Sequence, residues 1–474
     1  MPDVLFRCRN LTLARPGQTV LRGLDWSVER GRHWWVSGPN GAGKSTLAEA
    51  LAGQHRAVSG ERNWPGLGED RRSKVRLISF TDTGNLFHNA NAIHYYQQRY
   101  NAFDADGHLA VRDYLLAGGH SEASARAALG AGDLIGTERI KLSSGQTRKL
   151  LLARALAGKP ELLIIDNPYL GLDAGSRVRL NQMLDELVAR TGITLVLAGH
   201  VTELPRCVGY RLHLGEGRAL YAGAMEGFRA PEYHPDTADA EITSVLHYDA
   251  KQHMLPDFDE VVRFEGVRVA YGPKVIFDHF DWRVAAGEKW VVAGDNGSGK
   301  STLLSLLYAD HPQVYANRVY LFGHRRGRGE SIWEIKRRIG FTSPELHGFF
   351  DGSLTARAVV LSGLNDTFRP PAEPTAEQTA LLSDLLAFAG LTYHAERPFN
   401  RFSTGEQRLL LLLRALIKLP PVLLLDEPFQ GLDARTVARC RRLLAALLTP
   451  RRTMIFISHF REEWPEGVER TLWL

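Results

Sequence analysis

The chain contains four short motifs that occur twice, in the same order and at an almost constant spacing. The second copy follows the first by 256 to 260 residues. Such a repeat is typical of a duplicated structural unit, so the sequence predicts two similar domains. The paired motifs are GPNGAGKST (38–46) with GDNGSGKST (294–302), LSSGQTRKLLLARAL from Leu142 with FSTGEQRLLLLLRAL from Phe402, LLIIDNPYLGLDA containing Asp166 with VLLLDEPFQGLDA containing Asp426, and LVLAGH with MIFISH, which end at His200 and His459.

The spacing of the motifs predicts a first domain over 1–227 and a second domain over 258–474. The join between them, 228–257, contains three prolines and several acidic residues. Because proline interrupts helices and strands, we expect the join to be an extended linker, and a passive tether is its simplest role.

Each domain is predicted to be α/β, with a mostly parallel sheet at its centre. The apolar runs 34–36, 162–165 and 195–197 are short and partly β-branched, which is typical of strands buried on both faces. Leu-rich stretches such as 149–156 are predicted to be helices. The interval between the glycine-rich motif and Asp166 is too long for one crossover, so most of 85–158 is expected to form an inserted helical subdomain. Within it, 87–103 lacks periodicity and is predicted to be a loop.

Composition excludes several other classes of protein. The net charge of +5 is small for 474 residues, so nucleic-acid binding is not expected, although the pI near 9.0 leaves a basic patch as an alternative. The three cysteines lie far apart and predict neither a disulfide framework nor a zinc site. The most apolar stretch, 409–419, is interrupted by Arg414 and Lys418 and is shorter than the ~20 residues of a membrane span. We therefore expect a cytoplasmic protein without a span of its own.

Both glycine-rich motifs fit the pattern GxxxxGK[ST] of phosphate-binding loops. Their glycines let backbone N–H groups face a phosphate, and the helix that follows adds the positive end of its dipole. Lys44 and Lys300 are expected to neutralise the outer phosphates of ATP, and Ser45 and Ser301 to ligate Mg²⁺. The ATP-binding residues predicted in these loops are Gly38, Pro39, Asn40, Gly41, Ala42, Gly43, Lys44, Ser45 and Thr46, and Gly294, Asp295, Asn296, Gly297, Ser298, Gly299, Lys300, Ser301 and Thr302.

An aspartate ends an apolar strand in each half. Asp166 and Asp426 lie where parallel sheets bind ligands, and they are predicted to hold Mg²⁺ through water, although a buried structural Asp is the alternative interpretation. The next residue differs between the halves. Glu427 can act as a general base toward an attacking water, whereas the amide of Asn167 has no basic form near neutral pH.

Two further motifs are predicted to contribute to the sites. His200 and His459 are expected to hydrogen-bond the γ-phosphate or the attacking water; a lone His at a strand end is more often structural, but the equivalent placement favours the catalytic role. A serine and a glycine also open a Leu-rich helix in each half. The serine predicts an N-cap, and a helix N-terminus can also bind an anion. These residues are Ser143 and Gly145, and Ser403 and Gly405.

In order and content, the motifs resemble those of the ABC ATPases: a Walker A loop, an LSGGQ-like signature, a Walker B strand, a GLD loop and a switch histidine. The resemblance covers nearly the whole chain outside 228–257. It implies two tandem P-loop ATPase domains that form an intramolecular pseudo-dimer, in which the signature of one domain completes the ATP site of the other. The first implied site combines Lys44, Ser45, Asp166, Asn167 and His200 with Ser403 and Gly405; the second combines Lys300, Ser301, Asp426, Glu427 and His459 with Ser143 and Gly145.

The two implied sites are unequal. Only the second contains a carboxylate base, Glu427. Tyr271 stands where the family has an aromatic side chain that stacks on adenine, and the matching first-half segment, 14–17, has none. We therefore expect slow turnover at the first site and most hydrolysis at the second. The family's Gln after the strand that precedes the helical subdomain is also missing, from 78–82 and from 340–344, and this affects coupling to a partner more than ATP binding.

In detail, 321–341 and the spacing of the second half resemble the ModF-like group of tandem cassettes, which are associated with molybdate transport. This resemblance implies the energy-coupling component of a transporter, peripheral at the inner face of the cell membrane and partnered by integral-membrane subunits. One alternative is a soluble tandem ATPase that regulates or remodels another machine, such as the ribosome. Proteins of that type carry a long charged helical linker, which 228–257 does not resemble. A non-hydrolysing nucleotide sensor is the other alternative, and Glu427 argues against it.

Overall fold

A computed structural model describes residues 3–15, 18–68, 70–80, 111–116, 144–200, 203–229, 238–251 and 258–474. These residues form two compact units, one ending at Arg229 and the other beginning at Ala238. Each unit contains a mostly or entirely parallel sheet, a smaller antiparallel sheet and several helices. The predicted α/β class is therefore confirmed for both halves.

The first unit is built on two sheets. Its strands are β1 (Val4–Arg15), β2 (Gln18–Glu29), β3 (His33–Ser37), β4 (Ala57–Asn63), β5 (Val75–Ser79), β6 (Leu162–Asp166), β7 (Thr194–Ala198), β8 (Val208–Gly215) and β9 (Arg218–Ala224). The larger sheet has the order β5-β6-β7-β3-β8-β9, in which only the pairing of β8 with β9 is antiparallel. The smaller, antiparallel sheet has the order β2-β1-β4.

The helices of the first unit are α1 (Lys44–Leu51), α2 (Arg71–Lys74), α3 (Val111–Leu116), α4 (Ser144–Leu156) and α5 (Ala174–Thr191). The helix predicted over 149–156 is confirmed as part of α4. Of the predicted helical subdomain only α3 and α4 are described, and the predicted loop 87–103 lies outside the described residues. The GLD loop leads into α5, where the Asp173 carboxylate accepts a hydrogen bond of 2.7 Å from the Ser176 N–H and caps the helix.

The three predicted strands of the first unit are confirmed as β3, β6 and β7, and both faces of the sheet are buried. Along β6, Leu162 and Ile164 pack into one apolar core, whereas Leu163 and Ile165 pack into another on the opposite face. Because successive side chains of a strand point to opposite faces, two cores require an unbroken apolar run. This explains why the strand sequences do not alternate with polar residues.

The second unit repeats this plan. Its strands are β10 (Glu260–Tyr271), β11 (Lys274–Ala285), β12 (Lys289–Ala293), β13 (Arg318–Leu321), β14 (His324–Arg325), β15 (Ile339–Thr342), β16 (Val422–Asp426), β17 (Thr453–Ile457) and β18 (Arg470–Trp473). The parallel sheet has the order β15-β16-β17-β12-β18, and the antiparallel sheet has the order β11-β10-β13-β14. The helices are α6 (Ala238–Lys251), α7 (Lys300–Leu307), α8 (Ile332–Arg337), α9 (Ala356–Leu361), α10 (Ala376–Phe388), α11 (Thr404–Leu416) and α12 (Ala434–Leu447).

The predicted linker, 228–257, is not extended throughout, because it contains helix α6. The helix lies between the prolines at 235 and 256, so none of them interrupts it. Ile242 and Val245 are buried against the core of the second unit, and the helix packs on α10 and α12. The prediction of an extended chain was therefore wrong for 238–251, since the spacing of these apolar residues outweighed the surrounding prolines and acidic residues.

Polar contacts also hold α6 to the second unit. The Ser244 hydroxyl donates a hydrogen bond of 2.5 Å to Asp384 in α10. Asp249 forms a largely buried ion pair with Arg452, whose guanidinium also donates to the carbonyls of Pro420 and Leu447.

Within the described residues, no helix is both long enough and apolar enough to span a bilayer.

Replacing Asp249 by Ala should loosen α6. The substitution leaves the buried Arg452 guanidinium without its carboxylate partner, and we expect the free energy of local opening to fall by about 2 kcal/mol. Amide hydrogen exchange in 238–251 should then accelerate by roughly 30-fold, measured by mass spectrometry at pH 7. Asp278→Ala is the matched control, because its ion pair with Arg268 is exposed by about 60% on both sides. Equal exchange in both variants would contradict the prediction.

Candidate active sites

Both phosphate loops lie at the carboxyl end of a central strand, between β3 and α1 in the first unit and between β12 and α7 in the second. The loop lysines are buried and turn back onto their own loops. The Lys44 ammonium donates to the carbonyls of Gly38 and Pro39 at 2.8 Å each. Lys300 makes the equivalent bonds at 2.8 and 2.6 Å. Each loop therefore holds a positive charge against its backbone.

Close approach of the backbone explains why each loop begins with glycine. A Cβ on Gly38 would lie 2.3 Å from the carbonyl oxygen of Leu214, and a Cβ on Gly294 would lie 2.6 Å from that of Leu474. No other residue fits there unless the backbone moves. The other predicted loop residues lie in the same turns or in the first turn of the following helix: Pro39, Asn40, Gly41, Ala42, Gly43, Ser45 and Thr46, and Asp295, Asn296, Gly297, Ser298, Gly299, Ser301 and Thr302.

The order of the strands brings the other predicted groups to the same edge of the sheet as the loop. β7 lies between β6 and β3, and β17 lies between β16 and β12. Since these strands are parallel, their carboxyl ends are neighbours. Asp166 ends β6 and His200 follows β7, while Asp426 and His459 occupy the equivalent places in the second unit.

Both oxygens of the Glu427 carboxylate have a close polar neighbour, and one of them accepts a hydrogen bond. Its Oε1 lies 3.0 Å from Nε2 of His459, and its Oε2 accepts a hydrogen bond from the side-chain amide of Gln430. The side chain keeps 18% of its surface exposed, so water can reach it. A carboxylate that is fixed in orientation and accessible to water can act as a general base.

Asn167 takes the place of Glu427 in the first unit. The backbone is the same, because φ is 53° at Asn167 and 41° at Glu427, and each main-chain N–H donates to the neighbouring strand at 2.8 Å. Only the side-chain chemistry differs. The Asn167 amide donates to the Asp166 carboxylate at 3.3 Å and cannot take up a proton from water.

The His200 imidazole is neutral at neutral pH. Burial lowers the pKa of His200 well below its ordinary value, and the nearby Lys44 ammonium lowers the pKa further. A neutral imidazole has one donor nitrogen and one acceptor nitrogen, so it can bind either a phosphate oxygen or a water molecule. His200 can therefore bind ligand in the first unit even though Asn167 cannot act as a base.

The signature segment of the second unit begins a capped helix. The Ser403 hydroxyl accepts from the Glu406 N–H at 3.3 Å, and the Glu406 carboxylate accepts from the Ser403 N–H at 2.7 Å. The predicted serine N-cap is thus confirmed for α11, with Gly405 in its first turn. In the first unit, Gly145 lies in the first turn of α4, and Ser143 lies outside the described residues.

The ring of Tyr271 is held by a buried histidine. Tyr271 ends β10, and its hydroxyl lies 2.8 Å from Nε2 of His311. The other ring nitrogen of His311 accepts from the Gln313 N–H at 3.1 Å. Burial lowers the pKa of His311 to about 4, so the ring is neutral and its remaining N–H is on Nε2. His311 therefore donates to the tyrosine hydroxyl and fixes the aromatic ring.

Arg15 stands in the first unit where Tyr271 stands in the second. Both residues end the first strand of the smaller sheet, opposite the same position of the following strand. The Arg15 guanidinium donates to the Thr46 hydroxyl at 3.0 Å and pairs with Glu49 at 2.6 Å. The first unit thus presents a cation, instead of an aromatic ring, beside its phosphate loop.

Comparison with known proteins decides the family. A family model described as ABC transporter matches residues 21–170 and 277–430. The chain belongs to the ABC transporter family of ATP-binding proteins. It is similar to the ABC transporter ATP-binding protein ModF of Escherichia coli, with 34% identity over 94% of this chain and 92% of that protein. An uncharacterized ABC transporter ATP-binding protein of Schizosaccharomyces pombe, C323.04, is 29% identical over 95% of this chain and 94% of its own length.

ABC cassettes bind and hydrolyse ATP, so the chain is an ATPase with two cassettes. The groups present also fit a magnesium ion. Each cassette has one hydroxyl at the start of the loop helix and one carboxylate at the end of β6 or β16, on the same edge of the sheet: Ser45 with Asp166, and Ser301 with Asp426. Mg²⁺ is usually bound by one or two such groups together with phosphates and water, rather than by a cage of protein ligands. The described residues contain no cluster of three or more His, Cys, Asp or Glu side chains suited to a metal.

Sequence reasoning missed three residues that support the sites. His311 orients Tyr271, Gln430 binds Glu427, and Arg408 donates to Gln430. A signal for Gln430 was available, because a position-by-position comparison of the cassettes pairs it with Leu170, three residues after the difference between Glu427 and Asn167. No such signal marks His311, since a histidine stands at the matching position in both halves.

The second cassette should lose stability as the pH falls because of His311. Its pKa is about 4 when folded and about 6.5 when unfolded, so between these values the unfolded chain binds more protons. Stability is therefore full above pH 6.5 and falls by about 2–3 kcal/mol on going from pH 7 to 4.5. His311→Gln keeps a donor and an acceptor without titrating, and it should reduce the difference between the unfolding free energies at the two pH values. An unchanged difference would contradict this role.

Proposed function

We propose that the chain binds two molecules of ATP and hydrolyses ATP mainly at the site that contains Glu427. The observation that carries this proposal is the pairing of Glu427 with His459, 3.0 Å apart, directly after the aspartate that ends β16. Glu427 can take a proton from the attacking water, and His459 can hydrogen-bond the same water or the γ-phosphate.

The other residues of this site have separate tasks. Lys300 neutralises charge on the outer phosphates, and the N–H groups of its loop bind the phosphate oxygens. Tyr271, oriented by His311, stacks on the adenine ring. Ser301 and Asp426 would hold Mg²⁺, which supplies positive charge to the β- and γ-phosphates when it is bound.

We propose that the first site binds ATP and turns it over slowly. Lys44, Ser45 and Asp166 can bind the phosphates and Mg²⁺ in the same way as their counterparts, and neutral His200 can contact the γ-phosphate. Asn167 cannot accept the proton that water must lose. The site therefore keeps its binding groups but lacks a carboxylate base.

The proposal includes the exchange of signatures between the cassettes. Ser403 and Gly405 would complete the first site, and Ser143 and Gly145 the second, giving an intramolecular pseudo-dimer. Membership of the ABC transporter family supports this arrangement, and the remaining N–H groups in the first turn of α11 are of the kind that bind anions.

Glu427→Gln should abolish nearly all ATP hydrolysis while ATP binding is retained. Removing a general base typically costs a factor of about 10²–10⁴ in kcat, and glutamine preserves the size of the side chain. Steady-state phosphate release and binding of labelled ATP to the purified full chain would measure the two effects. Asn167→Ala is the matched control at the same backbone position of the first cassette, and it should retain most of the activity.

Lys44→Ala should be less damaging than Lys300→Ala. Emptying the first site can slow the second only through coupling, which is typically worth about 5- to 150-fold.

A parental rate in Glu427→Gln, together with inactivity in Asn167→Ala, would overturn the assignment of the hydrolytic site.

For the biological role, we propose an energy-coupling component of an ABC transporter, acting with separate integral-membrane subunits at the inner face of the membrane. The family and the similarity to ModF support this role. A molybdate-type oxyanion is the proposed solute through the same resemblance. Helix α6 packs on the second cassette rather than forming the long charged linker of translation-factor types, which disfavours the ribosomal alternative.

The tagged Glu427→Gln chain, loaded with Mg·ATP, should recover integral-membrane subunits from detergent-solubilised membranes of its own organism. ATP trapped without hydrolysis should preserve one state of the complex. Sedimentation with ribosomes from the same cells is the parallel measurement, and Lys300→Ala is the control for dependence on ATP. Association with ribosomes and not with membrane subunits would favour the alternative role.

A further inference from the structure

The side chain of Gln430 lies between a partly buried cation and the catalytic carboxylate. Gln430 belongs to the turn that follows β16, three residues after Glu427. Its Nε2 donates to Glu427 Oε2, and its Oε1 accepts from the Arg408 guanidinium. Arg408 also donates to the main-chain carbonyl of Gln430 at 2.9 Å. One amide therefore connects Arg408 to the general base.

The chemistry of the neighbours fixes the orientation of this amide. Arg408 has only donors and the Glu427 carboxylate has only acceptors, so the amide must turn its oxygen to the first and its nitrogen to the second. The other carboxylate oxygen of Glu427 faces His459 at 3.0 Å. Since both oxygens have a fixed neighbour, the carboxylate has one preferred orientation.

The first cassette shows which parts of this arrangement belong to the turn itself. Arg148, in the place of Arg408, donates to the carbonyls of Pro168 and Leu170. The N–H of Leu170 donates to the Asn167 carbonyl at 3.2 Å, just as the N–H of Gln430 donates to the Glu427 carbonyl at 3.1 Å. The turn and its arginine therefore form without a glutamine side chain.

The glutamine amide is present where the carboxylate is present, and leucine replaces it where asparagine replaces the carboxylate. We propose that Gln430 is a positioning residue, held by Arg408, that sets the orientation of Glu427 for removal of a proton from water. This inference rests on the proposed hydrolysis at Glu427. A flexible glutamate side chain loses rate when it leaves the productive geometry, and a misplacement of about 1 Å can cost up to about 100-fold.

The test compares Gln430→Met with the parental chain. Methionine has a similar length but neither donates to Glu427 nor accepts strongly from Arg408. We expect kcat to fall by about 10- to 100-fold, while KM for ATP and the thermal unfolding midpoint stay unchanged. Gln430→Glu should lose more, because it places a second carboxylate beside the first. A purely structural role would instead lower the unfolding midpoint and leave kcat per folded molecule unchanged.

Transplanting the pair into the first cassette gives an independent test. In the Glu427→Gln background, Asn167→Glu alone is compared with Asn167→Glu combined with Leu170→Gln. The left-handed backbone of Asn167 matches that of Glu427, and the N–H of Leu170 makes the same turn hydrogen bond as that of Gln430, so the substituted side chains start from a similar geometry. We expect the combined variant to hydrolyse ATP about tenfold faster than the single variant. Leu170→Gln alone, which supplies the amide without a base, is the control and should add no hydrolysis.

The outcomes separate this inference from the proposed function. A parental kcat in Gln430→Met, or equal rates for the two first-cassette variants, would overturn the positioning role while an inactive Glu427→Gln still supported hydrolysis at Glu427. A parental rate in Glu427→Gln would instead overturn the proposed function itself.

Discussion

Parallel pairing of three strands is the constraint on which each active site depends. In both cassettes the strand that precedes the switch histidine lies between the strand that ends in aspartate and the strand that leads into the phosphate loop. The three carboxyl ends are consequently neighbours, although the segments are far apart in sequence. The apolar cores on both faces keep this order fixed, so a loop, a carboxylate and an imidazole meet at one edge.

Much of this could be predicted from sequence because the decisive features are local. The phosphate loops require glycine where the backbone approaches Leu214 or Leu474, and a strand buried on both faces requires an unbroken apolar run. The serine cap of α11 is likewise a short-range signal.

Features that depend on distant partners were harder to predict. Helix α6 is stabilised by α10 and α12, and its own segment contains acidic residues and lies between prolines.

The site residues also fall into two groups, those that a local motif predicts and those that depend on distant contacts. Loop lysines and strand-end carboxylates follow from motifs, but His311 and Arg408 act through contacts with residues that are 40 and 22 positions away. Such partners cannot be deduced from one motif. The comparison of the two cassettes compensates in part, because the turn after the aspartate has the same backbone hydrogen bonds in both and differs there in its side chains. The left-handed residue after the aspartate is retained in both, and only its functional group changes from amide to carboxylate.

Helix α6 has a practical consequence for where the second cassette begins. Val245 is fully buried and Asp249 neutralises Arg452, so this helix is part of the folded body of that cassette. A fragment starting at residue 258 would expose the apolar surfaces of α10 and α12 to water and leave a buried guanidinium without its counter-ion. A fragment intended to contain the whole second cassette should accordingly begin before residue 238.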